Sequence, residues 1–263
     1  MKSVTRRRVL GSFGLAAGTC VLSSCQSGNQ VSSSDKGGWG YPWPYVELDP
    51  EATAERAYYA YEKGCMYGVF APVVKQLAEK RGEPYRSFPV NMMQYGAGGT
   101  GGSGSLCGAL NGGAALIGLF AGTEERMKKP IGELFLWYEQ TELPVYTARK
   151  PVSDIDIPKT ASHSVLCHVS VSRWCAGSGY KSFGDPRKER CRRLTADAAG
   201  KIVEILNARL VGESLSGAEL NEDVKKCKSC HTKGSILSNS RGTMNCGSCH
   251  FSLAKDHPKI PAT

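Results

Sequence analysis

Near its C-terminal end the chain carries two cysteine pairs, Cys227-x-x-Cys230 and Cys246-x-x-Cys249, with fifteen residues between them. That spacing fits a zinc ribbon, in which four thiolates hold one tetrahedral ion. Each pair, however, is followed at once by a histidine, His231 and His250. Cys-x-x-Cys-His is the attachment signal of a covalent c-type haem. In that chemistry the cysteines anchor the porphyrin as thioethers and the adjacent histidine binds the iron. A ribbon has no use for a histidine after its second pair, still less for two.

The N-terminus bears on the choice. Thr5-Arg6-Arg7-Arg8-Val9-Leu10 precedes a short run rich in Gly, Ala and Ser, too short to span a bilayer. It resembles a bacterial Tat export signal. Leu22-Ser23-Ser24-Cys25 resembles a lipobox, which makes Cys25 a candidate for lipidation and membrane anchoring. Haem is joined to Cys-x-x-Cys-His outside the cytoplasmic membrane, so a periplasmic destination favours haem over zinc. The chain is therefore expected to carry two haems c, on Cys227, Cys230 and His231 and on Cys246, Cys249 and His250. With so short a segment between the motifs the haems should lie near contact, a geometry that splits the Soret band.

The distal iron ligands are less defined. His163, His168 and His257 are the remaining histidines. His163 and His168 stand five residues apart, a step of roughly 140° on a helix, which would let them serve two haems or two subunits. His257 is the reserve. Histidine on both faces, without axial methionine, makes a haem low-potential and leaves no open position for a substrate.

The elements that must carry these residues read as mainly α. Four parts are expected: a signal over 1–25; a linker with an aromatic, proline-rich lead-in over 26–48; a helical cysteine-rich domain over 49–212; and a small loop-rich dihaem segment over 213–263. Asp49-Pro50-Glu51 starts a helix that runs to about residue 82, with Cys65 in its middle and Gly64 or Pro72 as possible kinks. The run from Gly96 to Gly101 matches Gly-x-Gly-x-x-Gly, but no strand precedes it and no βαβ unit surrounds it, so dinucleotide binding is not supported. This glycine run instead delivers Cys107 to a small, closely packed helix over 108–121. A helix over 123–142 should be interrupted near Pro130, and residues 187–210 form an amphipathic helix. The lead-in over 37–50 could pack on the haems, across a dimer interface or on the cysteine domain.

Eleven cysteines are too many to be incidental. With those of the signal and the haem motifs set aside, Cys65, Cys107, Cys167, Cys175 and Cys191 remain. Five cannot all pair as disulfides within one chain. By spacing alone they are either buried structural thiols or ligands of an iron–sulfur cluster, which needs four.

Cys107-Gly108-Ala109-Leu110-Asn111-Gly112 matches the CGAxxG motif of a family of redox-active bacterial proteins with four characteristic cysteines. Followed by two haem motifs, this domain resembles the split-Soret cytochromes c of sulfate-reducing bacteria. The resemblance covers roughly residues 51–210 and the dihaem segment. It implies a homodimer with closely stacked haems and an iron–sulfur site, a [2Fe–2S] cluster by preference. The implied ligands are Cys65, Cys107, Cys175 and Cys191, with Cys167 a possible substitute for Cys175. The implied function is electron transfer between redox proteins. The alternatives are a haem reductase acting on nitrite, sulfite or peroxide, and a redox or cluster sensor.

The formal charge is +9, of which Lys2, Arg6, Arg7 and Arg8 supply four. The propionates of two haems would offset most of the rest, so the charge gives no case for a nucleic-acid partner.

Overall fold

Helix α1, Pro50–Ala60, starts where the sequence places it. The Asp49 carboxylate accepts the N–H groups of Glu51 and Ala52, and Pro50 occupies the first turn. The expected single helix then ends early. A short 3₁₀ turn over Tyr61–Lys63 leads to Gly64, whose φ of 97° is open to glycine and costly for other residues. Helix α2, Cys65–Arg81, begins anew on the other side. Cys65 is thus the first residue of a helix and not the middle of one. Pro72 lies inside α2 without ending it.

The other helices are α3, Gly108–Ala121; α4, Glu124–Gln140; α5, Cys167–Ser178; α6, Asp185–Leu210; and α7, Glu222–His231. Between α4 and α5 a two-residue strand β1, Glu142–Leu143, pairs antiparallel with β2, Thr160–Ala161. These are details of the computed structural model, which describes residues 40–213 and 219–250. The export signal, Cys25 and His257 lie outside the described residues. The fold is mainly α, and no helix among the described residues is long and apolar enough to cross a membrane.

Helix α6 is the axis: α1, α2, α3 and α4 all pack against it. Its Leu194, Ala198, Ile202 and Leu206 are buried with Val69, Val73 and Leu77 of α2, Leu110 and Ile117 of α3, and Leu134 of α4. Helix α4 continues through Pro130, contrary to the expected interruption. Proline lacks the N–H that would bond the Arg126 carbonyl. Arg209 of α6 donates to that carbonyl instead, so packing supplies what the helix lost.

The lead-in belongs to this helical body. Trp43 N–H donates to Leu119 O of α3, the Tyr45 hydroxyl donates to Asn207 of α6, and Tyr85 donates to Pro44 O. Of the three positions open to it from sequence, the structure places it on the cysteine domain.

One buried carboxylate makes the stability pH-dependent. Asp197 of α6 accepts the backbone N–H groups of Val145 and Tyr146. Burial nevertheless lifts its pKa from 3.8 to about 6, against the pull of those two donors. The folded protein therefore holds this proton more tightly than the unfolded chain. The associated stability is fully present below about pH 4 and is lost as pH rises through about 6. On the order of 3 kcal/mol is expected to disappear across that window. Asp197→Asn should flatten this part of the pH profile of the unfolding free energy. Parallel profiles for the two proteins would show that Asp197 does not carry it.

Candidate functional site

Two sets of cysteines occupy two regions of the described unit. The first set is delivered by helix starts. Cys65 opens α2, Cys107 is the residue that caps α3, and Cys167 opens α5. Cys191 sits in the second turn of α6. A helix N-terminus presents unpaired N–H groups and a partial positive charge, which favour a thiolate. The four sulfurs line one cavity of about 590 Å³, together with Tyr61, Tyr138, Ser170, Arg187 and Arg190.

Two contacts bring these chain segments together. An antiparallel bridge pairs Leu106 with Leu166, so Cys107 N–H donates to Val165 O at 2.8 Å and Cys167 N–H to Ser105 O at 2.7 Å. That register sets Cys107 opposite Val165 and Cys167 opposite Ser105, so the two cysteines flank the bridge diagonally. The glycines of the CGAxxG motif then let α3 press onto the start of α2. A Cβ on Gly108 would stand 2.4 Å from Cys65 Sγ, and one on Gly112 would stand 2.7 Å from Met66 O. Both contacts are shorter than any side chain tolerates, so both positions require glycine.

Cys175 is not among the lining residues. It lies eight residues into α5 from Cys167, about 12 Å along the axis. The sequence expectation preferred Cys175 over Cys167 as a ligand; the structure gathers Cys167 with Cys65, Cys107 and Cys191.

Burial pushes the Cys65 thiol up to about 12, with Cys107 adding to the shift and the Gly98 N–H opposing it. Burial likewise pushes Cys167 up to about 12, with Cys107, Cys191 and Cys65 all contributing. Cys107 is raised by burial, against hydrogen bonds from Tyr138 and from the Ala109 N–H. As bare thiols these groups stay protonated at neutral pH. A bound metal centre is what removes such protons. The donors already aimed at the sulfurs suit thiolates, since hydrogen bonds to ligating sulfur are a regular feature of iron–sulfur sites. Among the described residues no three His, Cys, Asp or Glu side chains are arranged to hold a single metal ion. The described cysteines form no disulfide.

The second set lies on α7 and the turn beyond it. Cys227, Cys230 and His231 fall at positions i, i+3 and i+4 of α7, one stripe on one face. Asn221 caps this helix, and Glu222 and Asp223 complement its N-terminal dipole. The following loop folds back, with Leu237 N–H donating to Cys230 O and Ser240 N–H to His231 O. His231 Nδ1 lies 2.7 Å from Asn239 Oδ1. A proton held there puts the lone pair on Nε2, the geometry of an iron-binding imidazole.

Cys246–Ser248 form a 3₁₀ turn capped by Asn245, and His250 N–H donates to Cys246 O. Burial, then the Cys246 sulfur, raises the Cys227 thiol. Helix α7 packs against the Cys246–Ser248 turn and Lys228 Nζ donates to Gly242 O, so the two attachment motifs are neighbours.

The remaining histidines separate. His163 is not helical: its φ is 50°, and it sits in a bend before α5. Its carbonyl accepts the Ser248 hydroxyl at 2.7 Å, which places it beside the second haem motif. His168 is the second residue of α5 and lines the cysteine cavity. The expected helical step between them does not exist, because the left-handed His163 lies outside the helix. Sequence reasoning also missed Arg187 and Arg190. A cationic pair one turn before and beside Cys191 was the available signal.

The chain is also similar to known proteins. Residues 70–205 match the family described as "Putative redox-active protein (C_GCAxxG_C_C)". The match includes Cys107, Cys167, Cys175 and Cys191 and begins after Cys65. The chain is 37% identical to the split-Soret cytochrome c of Desulfovibrio desulfuricans, over 97% of each sequence. It also resembles a solved structure, "A novel iron centre in the split-Soret cytochrome c from Desulfovibrio desulfuricans ATCC 27774", with a TM-score of 0.75 and 39% identity, covering 82% of this chain and 95% of that one.

Proposed function

Because this chain belongs to the split-Soret cytochrome c family, we propose that it is a periplasmic electron-transfer protein with two closely spaced, low-potential haems c and a [2Fe–2S] centre. The observation that carries this reading is the packing of helix α7 against the Cys246–Ser248 turn, which makes the two attachment motifs neighbours. Haem iron supplies one-electron chemistry when bound, and the polypeptide supplies attachment, orientation and ligation. Cys227 and Cys230 hold one haem and Cys246 and Cys249 the other. His231 and His250 are the proximal ligands.

On the distal side, the position of His163 beside the second motif favours it for one iron. For the other the candidates are His168, offered by a second copy of the chain, and His257. The iron–sulfur ligands are Cys65, Cys107, Cys167 and Cys191. Export by the Tat route, anchoring through a lipid on Cys25, and homodimerisation complete the reading, with other redox proteins as partners.

The test is the visible spectrum of anaerobically purified, haem-loaded protein. Two haems per chain by pyridine haemochrome and a Soret band that splits on reduction are expected. Carbon monoxide should leave the reduced spectrum unchanged, because both axial positions are filled. Rapid carbon monoxide binding would instead favour a haem reductase. A colourless protein holding one zinc would return the segment to the ribbon.

A further inference from the structure

Arg190 poses a problem of charge. It is 2% exposed, in the second turn of α6. An unpaired guanidinium in such a place is strongly unfavourable, so buried cations are found paired. Yet among the described residues no carboxylate forms a salt bridge with Arg190, although its neighbours Arg192 and Arg193 both reach Glu189. Its contacts are neutral or sulfur: Nη2 donates to Ser170 Oγ at 2.8 Å, and Nη1 lies 3.8 Å from Cys191 Sγ. Its Nε has no partner. Ser170 is fixed in turn by the Tyr138 hydroxyl at 2.8 Å, so the guanidinium cannot swing away without breaking a buried network. Arg187, one turn earlier, also lines the cavity, and the Cys191 sulfur acts on its charge. Asp197 acts on the Arg190 charge only from beyond salt-bridge reach, and four protonated thiols would add no negative charge beside it. Four thiolates around an iron–sulfur core would balance it.

We propose that Arg190 is the charge-compensating residue of the cysteine cavity, a positioning residue that holds Cys191 and favours the reduced, more negative form of the iron–sulfur centre. The proposal rests on the cluster reading given above. Adding an electron to the centre makes it more negative, and a fixed cation nearby lowers the energy of that state. Removal of the cation therefore shifts the reduction equilibrium towards the oxidised form.

The experiment compares wild type, Arg190→Met and Arg190→Lys as full-length, haem-loaded protein, purified and reconstituted with iron and sulfide without oxygen. Iron and acid-labile sulfide per haem are measured, and the cluster is titrated by electron paramagnetic resonance. The Soret spectrum and far-ultraviolet circular dichroism report haem attachment and folding. Arg190→Met is expected to shift the cluster's reduction equilibrium at least tenfold towards the oxidised form, about 59 mV for one electron. Arg190→Lys should recover most of that shift, with the haem spectra unchanged throughout. An unchanged cluster potential in Arg190→Met overturns the role of Arg190 and leaves the cluster reading intact. If Arg190→Met folds but takes up no cluster, Arg190→Lys decides. A cluster of near-native potential there supports charge compensation, and its absence there overturns it in favour of side-chain shape. A wild-type protein with no acid-labile sulfide rejects the cluster reading itself, and this proposal with it.

Discussion

Cys167→Ser is expected to strip the iron–sulfur centre from the protein, whereas Cys175→Ser should retain it. Both cysteines lie on α5, both follow the CGAxxG motif, and the family resemblance favoured Cys175. The bridge between Leu106 and Leu166 reverses that preference. It aligns the chain so that the residues next to the bridge, Cys107 and Cys167, meet at the cavity, and each is held there by a backbone hydrogen bond. Cys175 would have to travel more than two helical turns to join them. Burial and the sulfurs of Cys107, Cys191 and Cys65 all act on the Cys167 thiol. The Cys175 thiol is raised by burial, with Arg190 opposing and Cys191 contributing. Serine is smaller and binds iron poorly, so loss of one of four ligands should remove most of the iron and sulfide. The measurement is iron and acid-labile sulfide per haem, with the haem spectrum as the control for folding. A cluster kept in Cys167→Ser and lost in Cys175→Ser would restore Cys65, Cys107, Cys175 and Cys191 as the ligand set.

The second large effect concerns the haems. Cys246→Ala combined with Cys249→Ala should reduce the haem content from two per chain to one and turn the split Soret band into a single band. The α7 motif stands by itself: its helix is capped and its loop folds back on Cys230 and His231. Loss of the second attachment should therefore leave the first haem in place. The reciprocal pair, Cys227→Ala with Cys230→Ala, should behave likewise, because the 246–250 turn docks on the helical body through Ser248 and His163. Splitting requires two chromophores close together, so neither single-haem protein should show it. Pyridine haemochrome counts the haem, and the reduced spectrum reads the splitting. A band that stays split in both single-haem proteins would locate the coupling elsewhere, between copies of the chain.

The haem attachment residues were legible because their chemistry is local. A thioether pair and its proximal histidine occupy five consecutive residues, and one turn of helix is enough to present them. The start of α1 was legible for the same reason, since Asp49, Pro50 and Glu51 act on backbone groups within one turn. So was the demand for small residues in CGALNG, although not what they press against. The break at Gly64 was a stated option, and the continuity of α4 through Pro130 was not expected. It depends on Arg209, about eighty residues away, for its missing hydrogen-bond partner.

By itself, then, the sequence determined the haem-binding motifs, the mainly helical class and the pool of cysteines from which an iron centre could draw. Only the tertiary structure decided which four cysteines meet, that His163 and His168 face different sites, and that a buried arginine stands beside Cys191. The reason is physical. Motifs and caps are satisfied by groups within a turn of one another. A shared cavity is set by the register of a bridge and the closeness of helices far apart in the chain, and no local spacing encodes either.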